Sequence, residues 1–331
     1  MADHADGGGD NNIFVYTGGQ VPQHLRRIIT HARIDTSVEE IDERAFINCR
    51  KLRCVEMHGG IRKIGKRAFV RCQSLRRIKL PGVRIIETEA FYLCSNLKDV
   101  EFGDGLEIIG KQAFSCCGSL RHLIFFAVST IELCAFANCD ELRSVTLPGE
   151  GLESIKGRAF AECPSLRRIA IPLEEGIILA NTVFDDCDEL TRVVPVGSII
   201  QTISFLHLER WRDDMNEEIN RINRALPTLN TEGIQTDGIQ LWIESVLRRM
   251  KHYKTEHYCL VKEALTLLEL ALWKAKLLDE NVEMNNKEDC PKGQKAAKKA
   301  KIDIEAARQD RRVMSGADIV IKNVLPFLKL E

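Results

Sequence analysis

Apolar residues recur along this chain in fixed slots of a unit 22 to 24 residues long. Seven phenylalanines mark the unit: Phe46, Phe69, Phe91, Phe114, Phe136, Phe160 and Phe184. Alanine precedes six of them and Val183 the last. A cysteine follows each by three residues, at Cys49, Cys72, Cys94, Cys117, Cys139, Cys163 and Cys187. Leucine comes six residues after every Phe, from Leu52 to Leu190, and a branched aliphatic three further on, from Val55 to Val193. Isoleucine or leucine stands five before, from Ile41 to Leu179. Self-similarity at such a period defines a repeat architecture before any element is assigned.

The alternation in Val55-x-Met57, Ile78-x-Leu80 and Val100-x-Phe102 predicts short half-buried strands. The Ala-Phe-x-x-Cys-x-x-Leu stretch has helical spacing and predicts a turn or a helix too brief to stand alone. One unit cannot bury its apolar face, whereas stacked units share a continuous core. The phenylalanines then form an aromatic spine, with a small alanine leaving room beside each ring. The predicted fold class is α+β: a solenoid of about seven coils with short parallel strands, followed by helices. A second rhythm runs above the first. Glycine follows the pre-Phe isoleucine in Ile64-Gly65 and Ile109-Gly110 but not in the units between, as expected if a two-unit block was duplicated.

These slots resemble the BspA-like leucine-rich repeat, whose unit reads approximately I-x-x-x-A-F-x-x-C-x-x-L-x-x-I-x-L-P. The resemblance covers Ile34 to about Pro195. It is similar to the type expanded in diatoms, in which a helical region follows the repeats. The resemblance implies a solenoid that presents a surface to other proteins, with no shared catalytic activity. Bacterial relatives are often surface-exposed adhesins. In this chain the first thirty residues lack the apolar run of a signal peptide, so an intracellular location, cytoplasmic or nuclear, is expected.

Outside the repeats the pattern changes. Residues 1–12, with three glycines and five Asp or Asn, predict a disordered start. The solenoid is expected over 13–195, with Ile13–Tyr16 and Ile34–Val38 as an atypical first coil that caps the open end. A helical region is expected over 196–278. Its first helix, Ile203 to Ala225, follows from the 3/4 spacing of Leu208, Trp211, Met215, Ile219, Ile222 and Leu226, and Pro227 ends it. A second carries Ile239, Trp242, Val246, Met250 and Tyr253. A third runs from Glu256 to Leu278 and is apolar on nearly all sides at Leu265–Trp273, which predicts that it is surrounded. Residues 279–302 read as a lysine-rich flexible linker, and 303–331 as a final helix, amphipathic over Ala317–Leu330, that either docks back or binds a partner.

Charge adds one feature. The 331 residues carry 47 Lys and Arg against 48 Asp and Glu, a net charge of −1, so bulk charge favours neither nucleic acid nor membrane. No stretch reaches the ~20 apolar residues of a membrane span. Locally, the residue after each fixed leucine is basic in six units: Arg53, Arg76, Lys98, Arg121, Arg143 and Arg167. Stacking makes them a ladder. Either their stems cover apolar surface while the heads stay in water, with Glu56 and Glu101 neutralising part, or the stripe receives an acidic or phosphorylated protein segment. Exposed aromatics for base stacking are lacking, so nucleic acid is disfavoured there. A basic cluster near the C-terminal helices, Arg248, Arg249, Lys251 and Lys254, supports the alternative of a nucleic-acid-associated or oligomerising module. Lys292, Lys295, Lys298, Lys299 and Lys301 read as a solvated linker or a dilute nuclear-import cluster.

The remaining chemistry is sparse. Twelve cysteines in a chain without an export signal read as thiols. The stacked column reads as small apolar filler bonded weakly to backbone carbonyls, because ladder side chains point in parallel rather than at one another. One thiol per coil does not build a tetrahedral cage, and Cys116-Cys117 is not a Cys-x-x-Cys pair. His252 and His257 are five apart, which places them on a surface near an inter-helix turn. No nucleophile with its base and no phosphate loop is present. The sequence therefore predicts a non-enzymatic protein-interaction scaffold with no metal, no cofactor and no catalytic residues, its partner and oligomeric state open.

Overall fold

The structure, a computed structural model, describes residues 13–204, 208–229 and 234–285. They fall into two compact units. One holds the repeats together with Arg212–Arg249; the other holds Leu208–Trp211 with Met250–Asn285.

Each coil of the first unit contributes a strand to each of two parallel sheets. The first sheet stacks seven two-residue strands in chain order, from Glu40–Ile41 to Ile178–Leu179. Its register pairs Ile41 with Ile64, Ile86, Ile109, Ile131, Ile155 and Leu179 in succession. The second sheet is divided into three blocks. Ile13–Tyr16, His31–Ile34 and Cys54–Glu56 form one, Arg77–Leu80 and Asp99–Phe102 the next. His122–Ile124, Ser144–Thr146, Arg168–Pro172 and Arg192–Val196 form the last. Between the sheets the seven phenylalanines stack ring on ring, centroids 4.8 to 5.9 Å apart and planes within 13°. The alanines, cysteines and leucines of the repeat are buried around them.

The segment around each Phe is a chain of tight turns rather than a short helix. Left-handed backbone interrupts it two residues before the Phe at Arg44, Arg67, Glu89, Gln112, Cys134 and Arg158. It does so again two residues after, at Asn48, Arg71, Leu93, Cys116, Asn138, Glu162 and Asp186, with φ of 54° to 61° throughout. Such a conformation costs an L residue ~1–2 kcal/mol. What offsets it is the neighbouring coil. The N–H groups of Arg44, Phe46 and Asn48 donate to the carbonyls of Lys66, Ala68 and Val70 at 2.7 to 2.9 Å, and later coils repeat the pattern. The alternation reads as helical spacing in sequence because two turns place Phe, Cys and Leu on one side just as a helix does.

The glycine rhythm has a steric basis. A Cβ at Gly65 would sit 2.5 Å from the Ile41 carbonyl oxygen, and one at Gly110 2.7 Å from the Glu87 carbonyl carbon.

At the front, it is His31–Ile34 that pairs with Ile13–Tyr16, upstream of the expected Ile34–Val38 except for one residue. Tyr16 takes the place of a spine phenylalanine, its ring 5.0 Å from that of Phe46. Its hydroxyl lies 3.0 Å from Asp42 Oδ2 and 2.9 Å from the Gly19 carbonyl, and accepts the Asp42 N–H. Burial pushes the phenol pKa up. At the back, the last strand runs through Pro195 to Val196. Proline is tolerated in an edge strand because no further strand needs its N–H.

The helices depart from expectation. α1 spans Ser198–Ser204 and α2 spans Glu209–Ala225, so Leu208 precedes α2 and Ile203 belongs to a separate helix. The two helices expected after Pro227 are one: α3 runs unbroken over Ile234–Asn285. No glycine or proline lies between Tyr253 and Glu256 to break it, and it continues seven residues into the stretch read as linker. In the first unit, Trp242 Nε1 donates to the Glu218 carbonyl at 3.0 Å, and Asn223 Oδ1 accepts the N–H of Val193 on the last strand at 2.7 Å. In the second, Trp211 stacks on Tyr253 with centroids 5.3 Å apart. The expectation that Leu265–Trp273 is surrounded is not met among the described residues. Leu267, Leu270, Leu272 and Trp273 are exposed and Ala271 alone is buried in that stretch. Residues 1–12, the Lys292–Lys301 cluster and the final helix lie outside the described residues. Among the described residues no helix is long and apolar enough to cross a membrane.

Candidate interaction surface

The six basic ladder residues all lie exposed where the chain enters the second sheet. Backbone bonds hold them in register: Lys98 N–H donates to the Arg76 carbonyl at 2.9 Å, Arg143 to Arg121 at 2.8 Å and Arg167 to Arg143 at 3.0 Å. Parallel pairing one residue on fixes the same register in Arg77 with Asp99 and Arg168 with Arg192.

Elsewhere on the coils an arginine is neutralised by a glutamate one coil onward: Arg33 by Glu56, Arg67 by Glu89 and Arg84 by Glu107. Two ladder members follow suit, Arg121 with Glu141 at 2.9 Å and Arg167 with Glu189 at 2.7 Å. The acids expected to quench the stripe are engaged elsewhere. Glu56 binds Arg33, and Glu101 binds Lys79 at 2.7 Å. Among the described residues, no ion pair engages Arg53, Arg76, Lys98 or Arg143.

Three of those four line a groove of about 690 Å³ at the break between the first two blocks of the second sheet. Arg53, Arg76, Arg77, Lys79 and Lys98 stand around it, with Glu56 and Asp99; half-buried Met57 and the buried Val55 and Ile78 lie beneath. Lys79 and Arg77 already hold Glu101 and Asp99, so the excess positive charge comes from the ladder. Sequence spacing located the column but not the groove, because the break in strand pairing leaves no mark on the repeat.

The cysteine column is a set of buried free thiols. Each Sγ from Cys72 onward donates to the carbonyl of the phenylalanine one coil back, as Cys72 does to Phe46 at 3.2 Å and Cys187 to Phe160 at 3.1 Å. Burial pushes the Cys49 thiol up to about 12 and raises those of Cys72, Cys117, Cys139, Cys163 and Cys187. A thiol held protonated there is neither nucleophile nor ligand. No three His, Cys, Asp or Glu side chains gather for a metal among the described residues.

His252 and His257 lie on the continuous α3, not beside a turn, and His252 is 3.3 Å from Glu256. Of the nearby cations, Arg249 reaches Glu218 at 3.5 Å, while Arg248, Lys251 and Lys254 are exposed.

Stacked parallel coils with a fixed leucine column define a leucine-rich-repeat solenoid followed by a helical region. Six copies of the BspA type leucine rich repeat region match residues 26–131 and 124–207. The chain belongs to that family. Among curated proteins nothing matches. Solved structures of similar fold include a leucine-rich repeat protein of T. pallidum, 27% identical over 54% of this chain and 83% of that one, with a TM-score of 0.41. One from Bacteroides ovatus is 23% identical over 51% of this chain and 56% of its own, at 0.36. The pneumococcal vaccine antigen PcpA is 20% identical over 55% and 54%, at 0.37. Membership suggests a protein-interaction scaffold.

Proposed function

We propose that this chain is a non-catalytic intracellular scaffold whose second-sheet groove receives an acidic or phosphorylated segment of a protein partner. The observation that carries the reading is the cluster of Arg53, Arg76 and Lys98 around one groove, all exposed and without an ion pair among the described residues, whereas Arg33, Arg67 and Arg84 each pair with a glutamate one coil onward. Arginine forks make charge-assisted bonds to carboxylate and phosphate oxygens. Free stacked thiols accord with a reducing compartment.

The test is an array of acidic and phosphoserine peptides probed with the whole chain and with the R53S/R76S/K98S variant. Peptides that bind the native chain, weaken as salt rises and lose at least about tenfold on the variant are expected. Equal binding by the variant removes the groove from the interaction.

The helical region supports a second reading, self-association. Tyr258, Leu260, Leu267, Leu270 and Trp273 on α3 are 48 to 70% exposed. Light scattering of the full chain beside an L267S/L270S/W273S variant decides it: a native dimer that becomes a monomer favours this reading.

A further inference from the structure

A second cationic site lies on the turns of the first coils and shares no lining residue with the strand groove. A cup of about 550 Å³ is lined by Gln23, Arg26, Arg27, Asn48, Arg50, Lys51 and Arg71. Five of the seven are cations, none is an acid, and none is an aromatic or aliphatic side chain. The chain as a whole is balanced, 47 basic against 48 acidic residues, so a local excess of five is a departure from its own composition. No ion pair among the described residues involves any of the five.

Three segments build the cup. The turns at 23–28 supply Gln23, Arg26 and Arg27. Arg26 is fixed by neutral acceptors, Nε donating to the Val21 carbonyl at 2.8 Å and Nη2 to Gln20 Oε1 at 3.1 Å. Asn48 and Arg71 occupy the same left-handed position in successive coils, at φ 61° and 59°, with their N–H groups bonded to Val70 and Tyr92 carbonyls. Arg71 is the one cation in a column that elsewhere reads Asn48, Leu93, Cys116, Asn138, Glu162 and Asp186. Arg50 and Lys51 follow in the turn after Asn48.

Among the described residues no acid within ion-pair distance relieves the repulsion among these cations, so an anion lowers the energy of the site. The lining narrows the anion's class. Without aromatics there is no stacking platform for a base, and without apolar wall there is no seat for an acyl chain. The volume is within the range of small-ligand sites. We propose that the cup binds a small polyol or oligomer carrying several phosphoryl groups, whether free or as the headgroup of a lipid. Arginine forks and Lys51 then contact phosphate oxygens, while Gln23 and Asn48 contact hydroxyls.

Calorimetric titration of the full chain with inositol hexakisphosphate and with tripolyphosphate tests this. At about 50 mM salt, micromolar binding is expected, weakening at least about tenfold at about 300 mM. The R27S/R71N variant, in which asparagine keeps the left-handed backbone, is expected to lose at least about tenfold, and R53S/R76S/K98S less than about twofold. Circular dichroism confirms that both variants fold. Vesicles bearing a polyphosphorylated phosphatidylinositol separate the sources: sedimentation reversed by the soluble probe assigns a lipid headgroup, and soluble binding without sedimentation assigns a free ligand. No heat at millimolar probe, or undiminished binding by R27S/R71N, overturns the proposal. A result in which only the strand-groove variant weakens also overturns it, and leaves the scaffold reading standing.

Discussion

Thr236 Oγ1 accepts the N–H of Phe184 at 3.2 Å, the donor for which every earlier spine phenylalanine uses a backbone carbonyl of the next coil. A hydroxyl on α3 thus stands in for a coil that does not exist. Both partners are buried. A Thr236→Val change, nearly isosteric, leaves that N–H unsatisfied and is expected to cost ~1–3 kcal/mol. Asn223→Ala should act likewise at Val193. Urea unfolding with an unchanged slope measures it, and a loss below ~0.5 kcal/mol for both would mean that water reaches this edge.

Phe114 lies 4.8 Å from Phe91 and 5.2 Å from Phe136, fully buried. Phe114→Ala is expected to cost ~3–5 kcal/mol through the cavity it leaves. Thermal or urea denaturation checks the figure.

The left-handed turns make an unusual prediction at Arg44, an exposed residue at φ 57°. Glycine adopts this conformation without strain, whereas a β-branched residue does not. Arg44→Gly should be at least as stable as the native chain, and Arg44→Val less stable by ~1 kcal/mol or more. Equal stability of the two variants would show that the turn relaxes.

Thiol reactivity should divide sharply. Cys54 and Cys259 are exposed, although partial burial and the nearby Glu56 raise the Cys54 thiol, while the seven column cysteines are buried with raised pKa values wherever a shift is resolved. Mass-resolved labelling at neutral pH is expected to mark Cys259 and, more slowly, Cys54 in the native chain, and the column only in denaturant. Rapid native labelling of Cys117 would mean that the coils open.

Glu218 gives the helical cap a pH dependence. Burial pushes its carboxyl pKa up, but the Ser245 hydroxyl and the guanidinium groups of Arg221 and Arg249 outweigh this and hold it below the usual range. A depressed folded-state pKa contributes stability that is present above the unfolded value of 4.5 and lost as pH falls through the folded one. The stability difference between native chain and Glu218→Gln should therefore be present at pH 6 and shrink below about pH 4.5. A constant difference down to about pH 2 would mean that the carboxylate's charge is not what Arg221 and Arg249 recognise.

The spine, thiol and leucine columns were readable from sequence because each buried slot repeats in every coil with the same residue type. The ladder was readable for the same reason. Its electrostatics were not, since Glu141 and Glu189, which quench Arg121 and Arg167, share no slot with Glu56 or Glu101. The turn cup is not legible in the sequence because Arg27, Arg50 and Arg71 come from three unlike places in the unit, and nearness across coils is invisible along the chain. The join within α3 was misplaced for a different reason. The apolar spacing through Tyr253 and that from Glu256 onward look like two helices along the chain, but no residue between them enforces a break.

Because the bonds Thr236 and Asn223 make to the last coil copy those that any coil makes to its successor, the lid is indifferent to how many coils precede it. Excising the stretch between two equivalent phenylalanines would bring matched edges together again. Length in this architecture is therefore adjustable by whole modules, while the tyrosine at one extremity and the helical hydroxyl at the other stay the same.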